Sequence, residues 1–404
     1  MSEERKTIHL CLAHMSEEGW EQKYVKEAFD TNWVAPLGAN VDGFEEDLSK
    51  CLSNSNISSN NNNQNEGIHV AALSAGTAAL HLAMIMLSIK AGDEVICQSM
   101  TFSASANPIT YLGAKPVFVD SESDTWNICP VQLERTIEDR IKVTGKKPKA
   151  IIAVHLYGMP YKVDEVMAVA NKYNIPVIED AAEALGSTYN GEGCGTFGVM
   201  GVLSFNGNKI ITTSGGGALV SKSVELINQA RFLSTQARDN APHYEHTQIG
   251  YNYRMSNIVA GIGRGQMLVL NDRVTRRREI NAIYKEAFKD TNIEFLSEPN
   301  EMYFSNHWLT AVQIDPEKCG VTREDVRLAL LEENIESRPL WKPMHMQPVF
   351  ADCPFYGNGT SEKLFENGLC LPSGSNMSNE ELQFVIETIK KVLCRKIQYS
   401  LAMN

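Results

Sequence analysis

A single lysine lies in a glycine-flanked segment, SFNGNKIITTSGGG, that runs from Ser204 to Gly217. An amine with a pKa of about 10.4 is protonated at neutral pH, so Lys209 is a useful nucleophile only with help from its surroundings. An aldehyde cofactor gives that help, because it captures the amine as an imine. Pyridoxal phosphate is the usual partner of such a lysine, and it needs phosphate donors, a carboxylate for its pyridine nitrogen and a flat face to stack on. A solvated loop lysine is the plainer alternative.

A carboxylate for the pyridine nitrogen follows a short apolar run in the segment PVIEDAAEALGS, from Pro176 to Ser187. In open α/β sheets, ligands gather at the carboxyl ends of strands, so Asp180 stands where a cofactor would lie. An ionised Asp180 holds a proton on the pyridine nitrogen and keeps the ring an electron sink. The alternative is that Asp180 only caps the segment that follows it.

Phosphate donors are expected at a second turn, in the run LSAGTAALHL from Leu73 to Leu82. This run reads as the end of a strand, a tight turn at Gly76 and Thr77, and the start of an alanine-rich helix. The free N–H groups at a helix N-terminus, with the positive end of the helix dipole, bind phosphate without a cationic side chain. Phe102 follows the next predicted strand, where its ring would stack on the pyridine ring or, alternatively, pack in the core.

The elements that position these residues alternate along the first half of the chain. Between residues 67 and 222, short β-rich runs are separated by helical stretches; the runs are IHVAALS, EVICQ, KPVFVD, KAIIAVH and IPVIED. That alternation predicts an α/β fold with parallel strands joined by helical crossovers. The chain length favours two or three domains.

The second half of the chain turns helical after about residue 223. A long amphipathic stretch from Met255 to about Lys289 leads into a smaller C-terminal α+β domain, so we expect a large domain at residues 1–268 and a small one at 269–404. In the small domain we expect a strand at Thr310–Ile314, a helix at Glu324–Glu333 capped by Thr322, and a helix at Glu380–Arg395.

The ordered motifs resemble one family, the DegT/StrS-type sugar aminotransferases, which are pyridoxal phosphate enzymes with the aspartate aminotransferase fold, fold type I. The resemblance covers nearly the whole chain. Its matching runs are NWVAPLGANVDGFE from Asn32, SAGTAALHLA from Ser74, TFSASANPI from Thr101, HLYG from His155, EDAAEALGS from Glu179, SFNGNK from Ser204, GYNYRMSN from Gly250, SRPLWKPMH from Ser337 and LCLPSG from Leu369. So many matches in one order are not expected by chance.

The resemblance implies roles for individual residues of a cofactor site. Lys209 matches the Schiff-base lysine, Asp180 the partner of the pyridine nitrogen, and Ser204 a phosphate-binding serine. Glu183 stands where the family commonly has a glutamine near the cofactor's 3-hydroxyl, and a carboxylate beside a phenolate oxygen is electrostatically unfavourable. Asn252 matches an asparagine that reaches the neighbouring subunit's phosphate, which implies a homodimer with shared active sites.

Within the family, the chain resembles most the aminotransferases that form UDP-4-amino-4,6-dideoxy-N-acetylglucosamine in bacillosamine-type glycan pathways. The runs SFNGNKIITTSGGG, EDAAEALGS, STQARDNAPHYEH and RPLWKPMH carry this closer match. It implies transfer of an amino group from L-glutamate to C4 of a nucleotide-linked 4-keto-6-deoxy sugar, first of all UDP-2-acetamido-4-keto-2,6-dideoxyhexose. The same reaction on UDP- or dTDP-4-keto-6-deoxyglucose, and a noncatalytic regulatory protein on the same fold, are the alternatives.

Two residues in the C-terminal motifs are candidate contacts to the substrate. Arg338 would offset the negative charge of a nucleotide sugar, with a structural salt bridge as its alternative, and His345 would line the sugar pocket. Some relatives in the family dehydrate the sugar at C3, and those have histidine in place of the Schiff-base lysine. Lys209 therefore favours transamination.

Charge and composition exclude several classes of function. A formal net charge of -12 argues against nucleic-acid binding, which usually needs a basic surface. The nine cysteines include no C-x-x-C pair, so neither a metal site nor a disulfide framework is expected. The charged N-terminus MSEERKTIHL has no long apolar segment, which predicts a cytoplasmic protein with no membrane association. A serine and asparagine tract at residues 53–65 departs from the family pattern and predicts a mobile surface loop.

Overall fold

The computed structural model describes residues 6–53 and 67–402, with side chains up to residue 394. The predicted loop at residues 53–65 therefore lies, apart from its first residue, outside the described residues. Thirteen α-helices are assigned in the described part of the chain: α1 (Trp20–Asp30), α2 (Ala39–Ser53), α3 (Gly76–Met86), α4 (Asn107–Tyr111), α5 (Pro130–Thr144), α6 (Val163–Tyr173), α7 (Val224–Ser234), α8 (Asn257–Met267), α9 (Leu270–Ala287), α10 (Pro316–Cys319), α11 (Arg323–Glu332), α12 (Thr360–Asn367) and α13 (Asn379–Ala402).

The described residues form three β-sheets. Their strands are, in chain order, β1 (His69–Leu73), β2 (Glu94–Gln98), β3 (Lys115–Val119), β4 (Ala150–Val154), β5 (Val177–Asp180), β6 (Thr188–Tyr189), β7 (Glu192–Gly193), β8 (Met200–Ser204), β9 (Gly217–Ser221), β10 (Glu294–Phe295), β11 (Tyr303–Phe304), β12 (Thr310–Gln313), β13 (Arg338–Pro339), β14 (Phe355–Tyr356) and β15 (Gly368–Leu371). The five strands predicted between residues 67 and 180 coincide with β1 to β5.

The large sheet has eight strands in the order β1-β9-β8-β5-β4-β2-β3-β14. Only β9 among them runs antiparallel to its neighbours, β1 and β8, and the other pairings in the sheet are parallel. Strands of a parallel sheet are covered on both faces, so they read as continuous apolar runs. Every residue of β4, AIIAV, is accordingly buried. The predicted α/β fold with a mostly parallel sheet is confirmed.

The last two residues of β5 are acidic side chains that leave the strand in opposite directions, because successive side chains alternate across a sheet. Glu179 is fully buried, accepts hydrogen bonds from the N–H groups of Gly195 (3.0 Å), Phe197 (2.6 Å) and Gly198 (2.5 Å), and contacts His155 Nε2 at 2.8 Å. It fixes the loop before β8. Asp180, on the other face, is left for the cavity described below.

The stretch from Met255 to Lys289 is two helices, α8 and α9, rather than one. The chain breaks at Leu268 and Val269, and Val269 has φ -113° and ψ 6°, outside the helical range. The break lets α9 leave the core that its first turns share with α8 and end in another. Helix α8 packs on α1 and α2, whereas α9 ends in a second cluster through Ile280 and Tyr284.

The C-terminal part of the chain builds its own four-stranded sheet, in the order β10-β12-β15-β13. Strand β12 and helices α11 and α13 confirm the three predicted elements, and Thr322 caps α11 by accepting from the Asp325 N–H in a capping box. This part also pairs with the rest of the chain, since β14 extends the large sheet beside β3 and β11 pairs with β6. The division at residue 268 stays a prediction.

Residues 6–53 and 67–402 show neither a metal site nor a membrane-spanning helix. Among these residues, no group of three or more His, Cys, Asp and Glu side chains is arranged to hold a metal ion. None of the helices described here has both the length and the apolar character needed to cross a membrane.

Candidate active site

A cavity of about 300 Å³ lies at the carboxyl ends of the central strands. Its walls come from the turn between β1 and α3, the segment after β2, the end of β5, the segment after β8, and two tryptophans from the C-terminal half. Seven residues singled out from the sequence line it together: Gly76, Thr77, Phe102, Asp180, Glu183, Ser204 and Lys209. These residues are spread over 134 positions of sequence, from 76 to 209 inclusive, and only the fold brings them together.

Lys209 lies in the turn that follows β8, and its side chain is 12% exposed. Its Nζ is 3.5 Å from Oε1 of Glu183 and 4.2 Å from the centroid of the Trp308 ring. The Trp308 ring is itself held, because its Nε1–H donates to the carbonyl of Asn208 at 2.7 Å. The amine is therefore enclosed between a carboxyl group and an aromatic face rather than solvated.

Glu183 is buried against the turn of the HLYG motif. Its Oε2 accepts from the N–H of Tyr157 at 2.7 Å. Tyr157 has φ 55°, in the left-handed region, and the next residue, Gly158, has φ 87° with no room for a Cβ beside the Asn306 side chain. Burial raises the pKa of Glu183, while the Lys209 ammonium and the Tyr157 N–H act in the opposite direction.

Asp180 is fixed by the segment after β2. Its Oδ2 accepts from the Ser105 hydroxyl at 2.6 Å, and Ser105 is bonded in turn to the Thr101 hydroxyl at 2.8 Å. The other oxygen, Oδ1, accepts from the N–H of Ala182 at 3.2 Å. Asp180 thus caps the following segment and lines the cavity at once, so the two interpretations of this residue do not exclude each other.

The N-terminus of α3 forms the opposite end of the cavity. The helix begins at Gly76 after Ala75, which has no side chain that could cap the first N–H groups. Gly217 of β9 packs so closely on Gly76 that a Cβ at position 217 would collide with the Gly76 nitrogen. Thr77 and Ser204, which both carry hydroxyl groups, line the same cavity. Free N–H groups and hydroxyls at a helix N-terminus are the donors that a phosphate prefers.

An aromatic wall completes the cavity, and its two tryptophans are not among the residues predicted from the sequence. The Tyr157 ring lies between Trp308 and Trp341, 6.4 Å from each centroid and tilted by 17° and 13°. The Trp341 centroid is 5.2 Å from that of Phe102. Trp341 stands inside the motif SRPLWKPMH, which was the available signal, whereas Trp308 lies outside the motifs quoted.

Three residues singled out from the sequence lie outside the cavity. Asn252 is exposed, and its backbone pairs with Thr235. Arg338 is exposed in β13. His345 does not line the cavity, and its two ring nitrogens contact the side chains of Ser99 and Glu362 instead. The contacts of these three residues to a substrate or to a second subunit stay predictions.

The comparisons with known proteins agree with this geometry. The model of the DegT/DnrJ/EryC1/StrS aminotransferase family matches residues 15–390. EpsN of Bacillus subtilis (strain 168), named as a proposed pyridoxal phosphate-dependent aminotransferase, is 50% identical over 390 residues, which cover 95% of each chain. The GDP-perosamine synthase of Escherichia coli O157:H7 is 36% identical over 92% of this chain and 95% of its own. The PLP-form of Spr1654 from Streptococcus pneumoniae, named as a proposed sugar aminotransferase, superposes with a TM-score of 0.85 at 26% identity, over 97% of this chain and 100% of its own.

Proposed function

Because the chain belongs to the DegT/DnrJ/EryC1/StrS aminotransferase family, and is therefore a pyridoxal phosphate-dependent sugar aminotransferase, we propose that it moves an amino group from L-glutamate to C4 of a nucleotide-linked 4-keto-6-deoxy sugar. The observation that carries the proposal is the meeting of Lys209, Asp180 and the α3 N-terminus in one cavity. A regulatory protein on the same fold has no need of these three groups in one place.

The residues that line the cavity fit the three needs of pyridoxal phosphate, which are phosphate donors, a carboxylate for the pyridine nitrogen and a flat face to stack on. The α3 N–H groups and the hydroxyls of Thr77 and Ser204 would hold the phosphate, Asp180 would pair with the pyridine nitrogen, and Phe102 would offer the stacking face. No cationic side chain is needed at the phosphate end, since the helix dipole is positive there. When bound, the cofactor supplies an electron sink for the negative charge that develops at the substrate carbon.

Lys209 carries the covalent attachment and the proton transfers. Its amine takes a proton from the carbon of the amino donor, and in the second half of the reaction it returns a proton at C4 of the sugar. Glu183, 3.5 Å away, and the Trp308 face hold the amine in place between these steps. No histidine is found among the described residues that line the cavity, and with Lys209 available to carry the proton none is required.

The preferred substrate is UDP-2-acetamido-4-keto-2,6-dideoxyhexose, which gives UDP-4-amino-4,6-dideoxy-N-acetylglucosamine for glycan biosynthesis. The motif runs around the cavity support the UDP-linked N-acetyl sugar. The name of the Escherichia coli relative adds a GDP-linked sugar as an alternative, beside UDP- and dTDP-4-keto-6-deoxyglucose. Lys209 is the one Lys or Arg among the described residues that line the cavity. Cationic side chains that bind the anionic nucleotide must therefore lie outside the cavity wall.

We place the enzyme in the cytoplasm as a homodimer with shared sites. Asn252 supports this arrangement, since its exposed side chain is free to enter the cofactor site of a second subunit rather than its own.

The experiment that tests the function is a product analysis. Purified protein with pyridoxal phosphate and L-glutamate is offered the UDP-, dTDP- and GDP-linked 4-keto-6-deoxy sugars, and the products are identified by NMR. We expect a new amine at C4 and the highest kcat/KM with the UDP-linked N-acetyl sugar. A product without its C3 hydroxyl would point to dehydration, and a colourless protein that aminates none of these sugars would point to the regulatory alternative.

A further inference from the structure

A histidine outside the cavity joins two segments that form its wall. His345 Nδ1 is 2.7 Å from the Ser99 hydroxyl, and its Nε2 is 3.1 Å from Oε1 of Glu362. The imidazole stacks on the Phe355 ring with centroids 3.6 Å apart and planes 11° apart. The side chain is 12% exposed, and Ser99 is fully buried. Every polar atom and one face of the imidazole therefore have a partner.

The two partners of the imidazole indicate which ring nitrogen of His345 accepts a hydrogen bond and which one donates. In the neutral imidazole the Ser99 hydroxyl donates to Nδ1, and Nε2–H donates to the Glu362 carboxylate. Serine, histidine and glutamate in line are also the components of a hydrolytic triad. That function is excluded here, since the fully buried Ser99 hydroxyl is out of reach of any substrate. The arrangement connects parts of the fold instead.

The two segments that His345 connects both carry side chains of the cavity wall. Ser99 begins the segment that contains Phe102 and ends at Ser105, whose hydroxyl holds Asp180. His345 ends the segment that begins at Trp341. A backbone hydrogen bond also joins the two segments, from the N–H of Met344 to the Ser99 carbonyl at 2.7 Å.

The far side of the link is anchored to the large sheet. Glu362 lies in the first turn of α12, and the start of that helix is tied to Asp120, at the end of β3. One carboxylate oxygen of Asp120 accepts from the N–H groups of Asn358, Gly359 and Thr360 at 2.9, 2.9 and 3.0 Å. The imidazole is thus connected to the large sheet through Glu362 and the start of α12, and it positions Ser99 through the other ring nitrogen.

We propose that His345 is a positioning residue for the sugar side of the site, which acts through Ser99 to hold Phe102 against Trp341. The inference rests on the proposed function, in which Phe102 stacks on the cofactor ring and Trp341, beside it, borders the place where the sugar sits. Without the imidazole, the segment with Trp341 bonds to Ser99 only through backbone N–H groups, those of Met344 and His345. The segment with Phe102 then shifts from Trp341 and the wall widens, while Lys209 and the phosphate end of the cavity keep their contacts.

Three substitutions of His345 separate its two hydrogen bonds. Asparagine places its amide oxygen near the position of Nδ1 and keeps an acceptor for Ser99, whereas glutamine places its amide nitrogen near Nε2 and keeps a donor for Glu362. We expect His345→Ala to lower kcat/KM for the sugar about tenfold, the size of one hydrogen bond, chiefly through KM. The visible absorbance of cofactor bound at saturating pyridoxal phosphate should be retained, because Lys209 and the phosphate donors keep their contacts, and the KM for L-glutamate should change less than the KM for the sugar. His345→Asn recovers most of the loss, and His345→Gln does not.

Two further variants control for coupling and for stability. Ser99→Ala should reproduce His345→Ala, and the double variant should be no worse than either single one, because both remove the same bond. Thr322→Ala removes the cap of α11, far from the site, and should lower the melting temperature without changing the KM for the sugar. Additive losses in the double variant, or equal recovery by asparagine and glutamine, would overturn the proposal.

A readout independent of turnover keeps this inference separate from the proposed function. Acrylamide quenching of tryptophan fluorescence should increase in His345→Ala and not in His345→Asn, and the increase should vanish when Trp341→Phe is added. An unchanged quenching in His345→Ala overturns the positioning role even in an enzyme whose sugar substrate is wrongly assigned. If instead the quenching changes as expected and no sugar nucleotide is aminated, the proposed function alone has failed.

Discussion

Lys209 Nζ lies 3.5 Å from Oε1 of Glu183, and both side chains are largely buried in one cavity. The two groups affect each other's charge. A buried carboxyl favours its neutral form, and the pKa of Glu183 is raised by that burial in spite of the nearby ammonium. The family resemblance implies a glutamine at this position, and we expect a protonated Glu183 to present a similar neutral group to the cofactor's 3-hydroxyl.

The raised pKa of Glu183 predicts a pH dependence of stability. Because its pKa is raised, the Glu183 carboxyl binds a proton more tightly in the folded protein than in the unfolded chain. Below pH 4.5, the ordinary pKa of a glutamate, the carboxyl is protonated in both states and does not change the stability. As the pH rises from there through the raised pKa, the carboxyl lowers the free energy of unfolding. Glu183→Gln should therefore melt like the wild type near pH 4 and at a higher temperature near pH 8, in cofactor-free protein. Glu286→Gln, an exposed carboxyl, is the control that should show no such trend. An equal difference at both pH values would contradict the prediction.

Asp180 is expected to matter more than the serine that holds it. Asp180→Asn removes the negative charge beside the pyridine nitrogen and should lower kcat by about a hundredfold or more. Ser105→Ala keeps that charge and loses only its 2.6 Å hydrogen bond, so we expect a loss of about tenfold. Steady-state kinetics with both variants test this order. If Asp180→Asn retained near-normal turnover, Asp180 would be a capping residue and no more.

Much of this site is readable from the sequence because its parts are local. Gly76 and Lys209 come shortly after β1 and β8, and Asp180 is the last residue of β5. Such mostly apolar strands fix which end of the sheet a residue occupies. The tryptophans are different. Trp308 and Trp341 join the wall only through the packing of the C-terminal part, which no local pattern reports.

Other features of the fold were missed for similar physical reasons. The hydrophobic pattern does not show that the first helix ends before Leu268, because the helices on both sides of this residue bury apolar side chains. Strand β14 is two residues long and is stabilised by its pairing with β3, so its own sequence carries little signal. His345 belongs to the right motif, but a motif cannot show that its imidazole lies behind the cavity wall rather than in it.

Subunit mixing tests whether Asn252 completes a neighbouring site. In a heterodimer of Lys209→Ala and Asn252→Ala chains, one of the two sites has both an intact lysine and an intact asparagine. An equal mixture in free exchange should therefore regain about a quarter of wild-type activity. A mixture of Lys209→Ala with Asp180→Asn is the matched control, because these residues line the same cavity of one chain. Recovery in both mixtures, or in neither despite proven exchange, would contradict a shared site.

Removal of the Lys209 amine should abolish catalysis but not folding. Lys209→Ala is expected to lose transaminase activity by at least about a thousandfold, together with the visible absorbance of the lysine-bound cofactor. The phosphate donors and Asp180 are left intact, so the variant should still bind pyridoxal phosphate noncovalently, as equilibrium dialysis can measure. Normal turnover in this variant would refute the assignment of the lysine.

The most direct test of the central claim is to identify the residue that holds the cofactor. The purified wild-type protein, loaded with pyridoxal phosphate, is treated with sodium borohydride, which makes the attachment to the amine permanent, and its peptides are analysed by mass spectrometry. We predict that the added phosphopyridoxyl mass is found on the peptide that contains Lys209, in stoichiometric amount. Attachment to another lysine, or no attachment in a protein that is nevertheless active, would contradict the account.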